Sequence, residues 1–479
     1  MIPHAAILSA TARFNTVSPF TYRHNPDLCC GGKTRSTLTA ENKVVAHYEP
    51  LTDPFGTRLR AGVTTRSRRH RPERGTLLDV TATATPPGAA PGAAQNAVGG
   101  TRSFLPAVEG LRACAAIGVV VTHVAFQTGH TTGAVGRVLG RFDLAVAVFF
   151  ALSGFLLWRG HAAAARGLRE RPRTGHYLRS RIVRIMPGYL VAVVVILTLL
   201  PEAQADLTVW LANLTLTQIY VPLTLTAGLT QMWSLSVEMS FYLVLPLLAL
   251  LSRRVPVRAR IAVILTAAVA SLFWVHIPFD GGSGHNLWNW PPAFFSWFAA
   301  GMVLAELTVS KVGWPHRLAR HRVLMALIAV SAFAVAASPL AGLEGLHPGS
   351  IAQVTLKTAM GAIVAGALLA PLVLDRPDTP HRILGSDTMV TLGRWSYGLF
   401  VWHLAALAMV FPMIGEFSFN GHFTVVLVLT VLFGFAIAAV SYGLIESPCR
   451  NALRRWERRN DPTPLDSSVT EQIEPAVAR

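Results

Sequence analysis

The sequence predicts an all-α, polytopic integral membrane protein, a helical bundle with about ten transmembrane helices. Hydrophobic residues make up 52% of the 479 residues and charged residues only 14%, whereas about a quarter of the residues in soluble domains are charged. Apolar runs long enough to cross a hydrocarbon core as a helix recur from residue 110 to residue 445. The predicted spans are 110–128, 142–158, 185–201, 232–251, 259–278, 291–309, 322–341, 354–374, 389–412 and 422–445.

The distribution of arginine predicts the orientation of this bundle. A net charge of +17 could indicate a nucleic-acid partner, but arginines are concentrated after spans two, four, six, eight and ten. The intervening loops 202–231, 279–290, 342–353 and 413–421 contain no Lys or Arg, and only the first outer loop, with Arg137 and Arg141, departs from the pattern. By the positive-inside rule, both termini are predicted to be cytoplasmic, in a multi-pass protein of the inner (plasma) membrane that contacts lipid and binds no nucleic acid.

Composition divides the chain into three parts. Residues 1–100 lack sustained periodicity, carry "RSRRHRPERG" and end in "TATATPPGAAPGAAQNAVGG", a composition that cannot bury a core and is typical of disorder. Residues 101–450 hold all the apolar runs and form the predicted membrane domain. Residues 451–479 are polar and contain proline, so we predict a disordered cytoplasmic tail.

The first span contains two ionisable residues, Arg112 and His123. They are eleven residues apart, and eleven helical steps make about 1100°, or three turns and about 20°, so both side chains share one helix face. The predicted orientation places Arg112 at the cytoplasmic boundary and His123 about 16 Å deeper. Ionisable groups at membrane depth are candidates for function. The alternatives are a snorkelling arginine and a neutral histidine hydrogen-bonded to a neighbouring helix.

The fourth span opens with "QMWSLSVEMSFYLVLPLL" and runs from outside to inside, which places Glu238 within its first two turns. A lone carboxylate in lipid needs a partner, so Glu238 is a functional candidate. Trp233 and Tyr242 flank it, either as part of the site or as members of the interfacial aromatic belt.

Further candidates lie in spans two and nine. Ser396 and His403 are seven residues apart on one helix face, next to Tyr397. A Ser/His nucleophilic pair is disfavoured because the two side chains are separated by about 10 Å along the helix axis. In span two, Ser153 precedes Gly154, a pair of small residues that favours close approach of another helix or of a ligand.

A group of arginines precedes the third span. Arg179, Arg181 and Arg184 are spaced to cluster at a helix start on the predicted cytoplasmic face. Arginine clusters suit phosphate groups, although these residues could serve only to determine topology. The sequence contains no metal-ligand spacing and no nucleotide-binding fingerprint, so we predict no metal and no bound cofactor.

Together these residues predict an acyl transfer site. His123, His403 and Glu238 lie on three helices, with a cationic group of arginines towards the cytoplasm. Transfer of an acyl group to a hydroxyl requires a general base with a pKa near neutrality and an acid that holds it in place. The arginines fit an anionic donor from the cytosol.

Six ordered motifs resemble the acyltransferase 3 family of membrane O-acyltransferases, which includes O-antigen and exopolysaccharide acetylases and macrolide acyltransferases. The motifs are "EGLRACAAIGVVVTH", "FFALSGFLL", "RIVRIMPGY", "WSLSVEMSFYLVLP", "GRWSYGLFVWH" and "IESP", within about residues 104–450. The resemblance implies that Arg112 and His123 are the essential pair. It also implies that an acyl-CoA, acetyl-CoA in the simplest case, is the co-substrate, with a carbohydrate or glycosylated small molecule as acceptor.

These arguments assign the candidate residues to two groups. The catalytic candidates are His123, Arg112 and Glu238. The substrate-binding candidates are Arg181, Arg184, Ser153, Trp233, Tyr242, Ser396, Tyr397 and His403. The alternative function is a proton-coupled secondary transporter, since that class also places His and Glu within its spans; the sequence shows no repeat between its halves that would favour it.

Overall fold

The computed structural model describes residues 105–200, 203, 205–278, 286–342, 349–375 and 379–460. Within these ranges the regular secondary structure is helical, with α-helices, short 3-10 turns, one π-helical turn and no β-strand. The first seven helices are α1 (Pro106–Gln127), α2 (Gly133–Gly140), α3 (Ala145–Ala164), α4 (Thr174–Leu199), α5 (Leu207–Leu214), α6 (Trp233–Leu251) and α7 (Arg260–Leu272). The remaining helices are α8 (Phe295–Thr308), α9 (Trp314–Arg320), α10 (Arg322–Ala337), α11 (Ile351–Val373), α12 (Asp387–Ile414), α13 (Phe423–Ser441) and α14 (Ser447–Asn460).

The all-α, multi-pass fold predicted from the sequence is confirmed. Eight helical stretches in the described residues are long and apolar enough to cross a membrane, or up to nine if the bent pair α9 and α10 forms one span. Two predicted spans, 291–309 and 322–341, are not among the eight. The first contains α8, of 14 residues, and the second contains α10, of 16 residues, which is bent by 86° from α9. The count of ten and the orientation stay predictions.

The C-terminal helix corrects one predicted boundary. Residues 451–460, predicted as part of a disordered tail, continue α14. Their helix is held against α4 by Glu457, which lies 3.4 Å from His176 and 3.7 Å from Arg179, and by the Arg179 guanidinium, 4.4 Å from the ring centre of Trp456. The predicted disordered segments 1–100 and 461–479 lie outside the described residues.

Helices α3 and α8 cross in backbone contact. A Cβ atom added to Gly154 would meet the carbonyl oxygen of Phe298, and one added to Gly301 would meet that of Ala151. Small residues at such crossings allow close van der Waals packing, which drives helix association in membranes. The close helix approach predicted at Ser153 and Gly154 is therefore confirmed.

An aromatic cluster fills the interior beside this crossing. The ring of Phe298 stacks on Phe150, with centroids 4.4 Å apart, and on Phe241, with centroids 4.0 Å apart. The ring of Trp233 lies 4.9 Å from that of Phe294. The cluster joins α3, α6 and α8, and thereby fixes the helices that carry Ser153 and Glu238.

The segment between α4 and α6 enters the interior of the protein. It contains the short helix α5, and its last residues are buried, with Leu229 and Met232 fully inaccessible. The side-chain amide of Gln231 donates a hydrogen bond of 3.0 Å to the backbone carbonyl of Val401 in α12. Helix α6 therefore begins inside the bundle, and this determines how deep Glu238 lies.

Candidate active site

A pocket opens among α1, α3, α4, α6 and α12. Seven of the candidate site residues line it: Arg112, Ser153, Arg181, Arg184, Glu238, Tyr242 and Tyr397. Its apolar lining comes mainly from α3 and includes Phe149, Leu152 and Leu156. The sequence therefore identified most of the polar residues that the fold brings together here.

Glu238 is the acceptor at the centre of the polar lining. The hydroxyls of Ser153 and Tyr242 both donate to its Oε1 atom. Tyr242 follows Glu238 by one helical turn, so the two side chains share a face of α6. The hydroxyl of Tyr177 in turn donates to the backbone carbonyl of Tyr242, at 3.1 Å. These contacts link α3, α4 and α6 around one carboxylate.

This placement corrects the predicted surroundings of Glu238. The sequence predicts it as the partner of His123, whereas it shares a pocket with Arg112, Arg181 and Arg184; its predicted depth in the membrane stays a prediction. In the described part of the chain, its hydrogen bonds come from Ser153 and Tyr242. The reason is that α6 starts from a buried segment, so its first turns pack within the bundle, where Ser153 and Tyr242 reach Glu238.

The pocket brings cations from two helices to one side. Arg112, on α1, forms a 3.9 Å ion pair with Glu109 one turn earlier. Arg181 and Arg184 are three residues apart and therefore share a face of α4, and both line the pocket. Arg179 lies outside the lining and contacts Trp456 and Glu457 of α14. The arginine cluster expected from the sequence is therefore divided between the pocket and the C-terminal helix.

Tyr397 and Glu446 lie against α4 near these arginines. The Tyr397 hydroxyl donates to the backbone carbonyl of Ile185, at 2.7 Å. A Cβ atom added to Gly188 would lie 3.3 Å from Tyr397 and 3.4 Å from Glu446, so the absence of a side chain at Gly188 admits both. Glu446 ends a π-helical turn, Tyr442–Glu446, and is buried, with its Oε1 atom unbonded within the described residues.

Sequence reasoning did not assign a role to Glu446. Its signal was present, because Glu446 is the second residue of the quoted motif "IESP". What the sequence could not show is the π-helical turn, which aims this side chain into the protein. Such turns are rare and are often found at functional sites.

The two candidate histidines lie next to each other. The ring centroids of His123 and His403 are 5.0 Å apart, with the planes tilted by 46°. His403 is fully buried, and its Nδ1 atom lies 2.8 Å from the backbone carbonyl oxygen of Phe400. The predicted proximity of these helices is therefore present in the structure.

The histidines do not line the pocket itself. Phe400 lines it, and its ring centroid lies 6.0 Å from that of His403 and 6.2 Å from that of Phe149. Arg112 and His123 are predicted to share one face of their helix, but only Arg112 belongs to the pocket lining. The ring of Phe400 is the side chain that contacts both regions.

Trp233 and Ser396 also lie outside the pocket lining. Trp233 packs in the aromatic cluster, with its ring 6.4 Å from Phe150. The hydroxyl of Ser396 is fully buried and donates to the backbone carbonyl of Gly393 in the same helix, at 2.8 Å. Both side chains therefore contribute to packing at the positions where the structure places them.

Comparison with known proteins identifies the family. Residues 105–441 match the family model described as an acyltransferase domain, Acyl_transf_3. The chain belongs to the acyltransferase 3 family. It is therefore an O-acyltransferase embedded in a membrane, as the sequence motifs predicted, and membership decides between this class and the transporter alternative.

Named relatives agree with this assignment. The chain is 30% identical to acyltransferase MdmB of Streptomyces mycarofaciens over 402 residues, which cover 77% of this chain and 96% of MdmB. It is 24% identical to O-acetyltransferase OatA of Staphylococcus aureus over 372 residues, which cover 72% of this chain and 57% of OatA. The chain thus spans little more than half the length of OatA. No solved structure gives a significant match.

Proposed function

We propose that this acyltransferase moves an acyl group, acetyl in the simplest case, from an acyl-CoA to a hydroxyl of a carbohydrate or a glycosylated small molecule. The observation that carries the proposal is the pocket in which Arg112, Arg181 and Arg184 converge beside an apolar wall. Phe400 belongs to this wall and contacts His403, which lies next to His123. A group of cations and a candidate base are thus separated by one aromatic side chain.

The pocket suits the two chemical parts of an acyl-CoA. Guanidinium groups bind phosphate oxygens through paired, charge-assisted hydrogen bonds, so the arginines would hold the phosphates. The apolar side chains of Phe149, Leu152 and Leu156 would contact the less polar arm that carries the thioester. Glu238, held by Ser153 and Tyr242, balances the positive charge and limits how closely an anion approaches.

Transfer then requires a base at the thioester. In the proposed reaction, an unprotonated nitrogen of His123 takes the proton of the acceptor hydroxyl while the oxygen attacks the thioester carbonyl. The C–S bond breaks, and the departing thiolate takes the proton from His123. In an alternative order, His123 attacks the thioester first, the thiolate leaves, and the hydroxyl then attacks the acyl-histidine; both orders use His123.

The proposed orientation places the arginine side of the pocket towards the cytosol, where acyl-CoA is made, in the inner (plasma) membrane. The relatives MdmB and OatA are described as an acyltransferase and an O-acetyltransferase, which supports a hydroxyl acceptor. The histidines lie farther along α1 and α12 from this side, so the acceptor would approach from within the membrane or from its other face.

A transfer assay tests this function. The purified protein in lipid nanodiscs is incubated with acetyl-CoA carrying a labelled acetyl group and with glycan and metabolite fractions from cells that carry the gene. We expect a labelled ester in one fraction, identified by mass spectrometry, and its loss in His123→Ala. Absence of labelled ester from all fractions with acetyl-CoA and with longer acyl-CoA donors would overturn the proposed donor and acceptor.

A further inference from the structure

The contacts of His403 determine which of its ring nitrogens carries a proton. Its Nδ1 atom lies 2.8 Å from the carbonyl oxygen of Phe400, and a carbonyl oxygen can only accept a hydrogen bond. The proton is therefore on Nδ1, and in the neutral ring Nε2 is an acceptor. The backbone of α12 thus selects one tautomer of this histidine.

The Nε2 atom of His403 has no hydrogen-bond partner among the described residues, although the side chain is fully buried. A buried acceptor without a donor costs free energy. An apolar side chain of similar size would avoid that cost. The arrangement therefore indicates that a donor reaches Nε2 in the working enzyme.

The imidazole ring of His123 lies next to that of His403. Two imidazoles joined edge to edge by an N–H···N hydrogen bond of about 2.9 Å have centroids about 5 Å apart, and the observed separation is 5.0 Å. Rotation of the His123 ring about its Cβ–Cγ bond leaves its centroid nearly in place. The spacing therefore already fits a hydrogen-bonded pair.

We propose that Nε2 of His403 accepts a hydrogen bond from an N–H of His123, which makes His403 the positioning residue of the catalytic base. This rests on the proposed function, and deepens it. The hydrogen bond fixes the tautomer of His123, so its other nitrogen is unprotonated and faces the acceptor hydroxyl. That nitrogen takes the hydroxyl proton and later returns it to the departing thiolate, while the shared N–H stays on His123.

Two substitutions of His403 separate this role from packing. In His403→Gln, the side-chain oxygen reaches the position of Nε2 and can accept from His123. In His403→Asn, the shorter amide can still bond to the Phe400 carbonyl but carries no acceptor at the Nε2 position. Thr430→Val is the matched control, because Thr430 is also fully buried and its hydroxyl has no partner in the described chain.

Transfer from acetyl-CoA to the acceptor fraction of the transfer assay is measured for each variant. We expect His403→Asn to lower kcat on the order of 10²-fold, the scale of general-base catalysis, with little change in KM for acetyl-CoA. His403→Gln should recover most of that loss, and Thr430→Val should match the unsubstituted enzyme. Unchanged kcat in His403→Asn, or equal losses in the two His403 variants, would overturn the proposal.

A measurement without substitution at His403 covers the case in which its variants do not fold. The ¹⁵N resonance of His403 Nε2, in protein labelled on histidine, should shift between the unsubstituted enzyme and His123→Ala, because the donor is lost. An identical resonance in the two proteins would refute the hydrogen bond. Activity that persists in His123→Ala would instead refute the proposed function of His123, so the two failures are distinguishable.

Discussion

At the residue scale, the proposed recognition of the donor depends on side chains that differ in direction rather than in type. Arg179, Arg181 and Arg184 lie within two turns of α4, yet only Arg181 and Arg184 line the pocket. Arg179 instead lies over the ring of Trp456. A spacing of three residues keeps two side chains on one helix face, whereas a spacing of five separates them. The same charge therefore lines the pocket at two positions, where we propose that it binds the donor, and packs against the C-terminal helix at the third.

Because Arg184 and Arg179 have different surroundings, we predict that replacing each by glutamine has a different effect on KM for acetyl-CoA. Arg184→Gln should raise KM for acetyl-CoA at least about tenfold, because a charge-assisted hydrogen bond to phosphate contributes about 1.5–3 kcal/mol. Steady-state kinetics at several salt concentrations measure the effect, and KM should depend less on salt in the variant. Arg179→Gln is the control and should leave KM unchanged, since Arg179 faces Trp456 and Glu457. Equal KM values for both variants would show that α4 does not bind the donor phosphates.

The residue scale also shows what the sequence can predict. Arg112, Glu238 and Tyr242 could be selected because polar groups in an apolar helix stand out locally, and the structure brings all three into the pocket. His123 lies outside that pocket, and Phe400, which lines the pocket and contacts His403, is a side chain that an apolar span contains without any special signal. A tertiary contact of this kind leaves no trace in local composition.

At the scale of elements, the helices were predictable where apolar length alone determines the structure. Spans such as α1, α11 and α12 match predicted runs because each crosses the bundle in one piece. The absence of lysine and arginine predicts an outer loop for the segment between α4 and α6, but local composition gives no sign that its last residues are buried. Its burial depends on contacts such as that of Gln231 with Val401, which join residues 170 positions apart.

The crossing of α3 and α8 gives a prediction about stability. Gly301→Ala places a methyl group against the backbone of Ala151, two residues before Ser153, whose hydroxyl donates to Glu238. We expect a loss of about 1–3 kcal/mol, the scale for overpacking, with reduced transfer activity. Thermal unfolding of the detergent-purified protein measures the first and the acetyl-CoA assay the second.

The control for this crossing is Gly366→Ala in α11. The nearest atom to a Cβ atom at Gly366 is the side chain of Ala300, at 3.9 Å, an ordinary van der Waals distance. This variant should unfold at the same temperature as the unsubstituted protein or slightly higher, because alanine is the better helix former. If Gly301→Ala were as stable as Gly366→Ala, the backbone contact of α3 with α8 would have no energetic importance.

At the scale of the whole molecule, charge is distributed unevenly along the bundle. Described arginines near the carboxyl ends of α3, α6 and α14 and the amino end of α4 lie on the side that we predict to be cytoplasmic. One buried carboxylate organises part of this side. Glu306 accepts hydrogen bonds of 2.8 Å from Trp158, 2.6 Å from Arg166 and 2.7 Å from Arg260. Ion pairs and hydrogen bonds of this kind offset the free-energy cost of burying the Glu306 carboxylate away from water.

Orientation connects the fold to the proposed chemistry, because acyl-CoA from the cytosol can reach the arginines only if their side of the bundle faces the cytosol. We therefore predict that green fluorescent protein fused after Asn460 fluoresces, whereas alkaline phosphatase inserted at Gly421, between α12 and α13, is active. The physical reason is that arginine-rich loops are retained on the cytoplasmic side during insertion. Whole-cell fluorescence and phosphatase activity measure the two fusions, and exchanged reporters at the same two positions provide the controls. The reverse pattern would place Arg112, Arg181 and Arg184 towards the outside, where the arginines could not take their donor from the cytosolic pool of acyl-CoA.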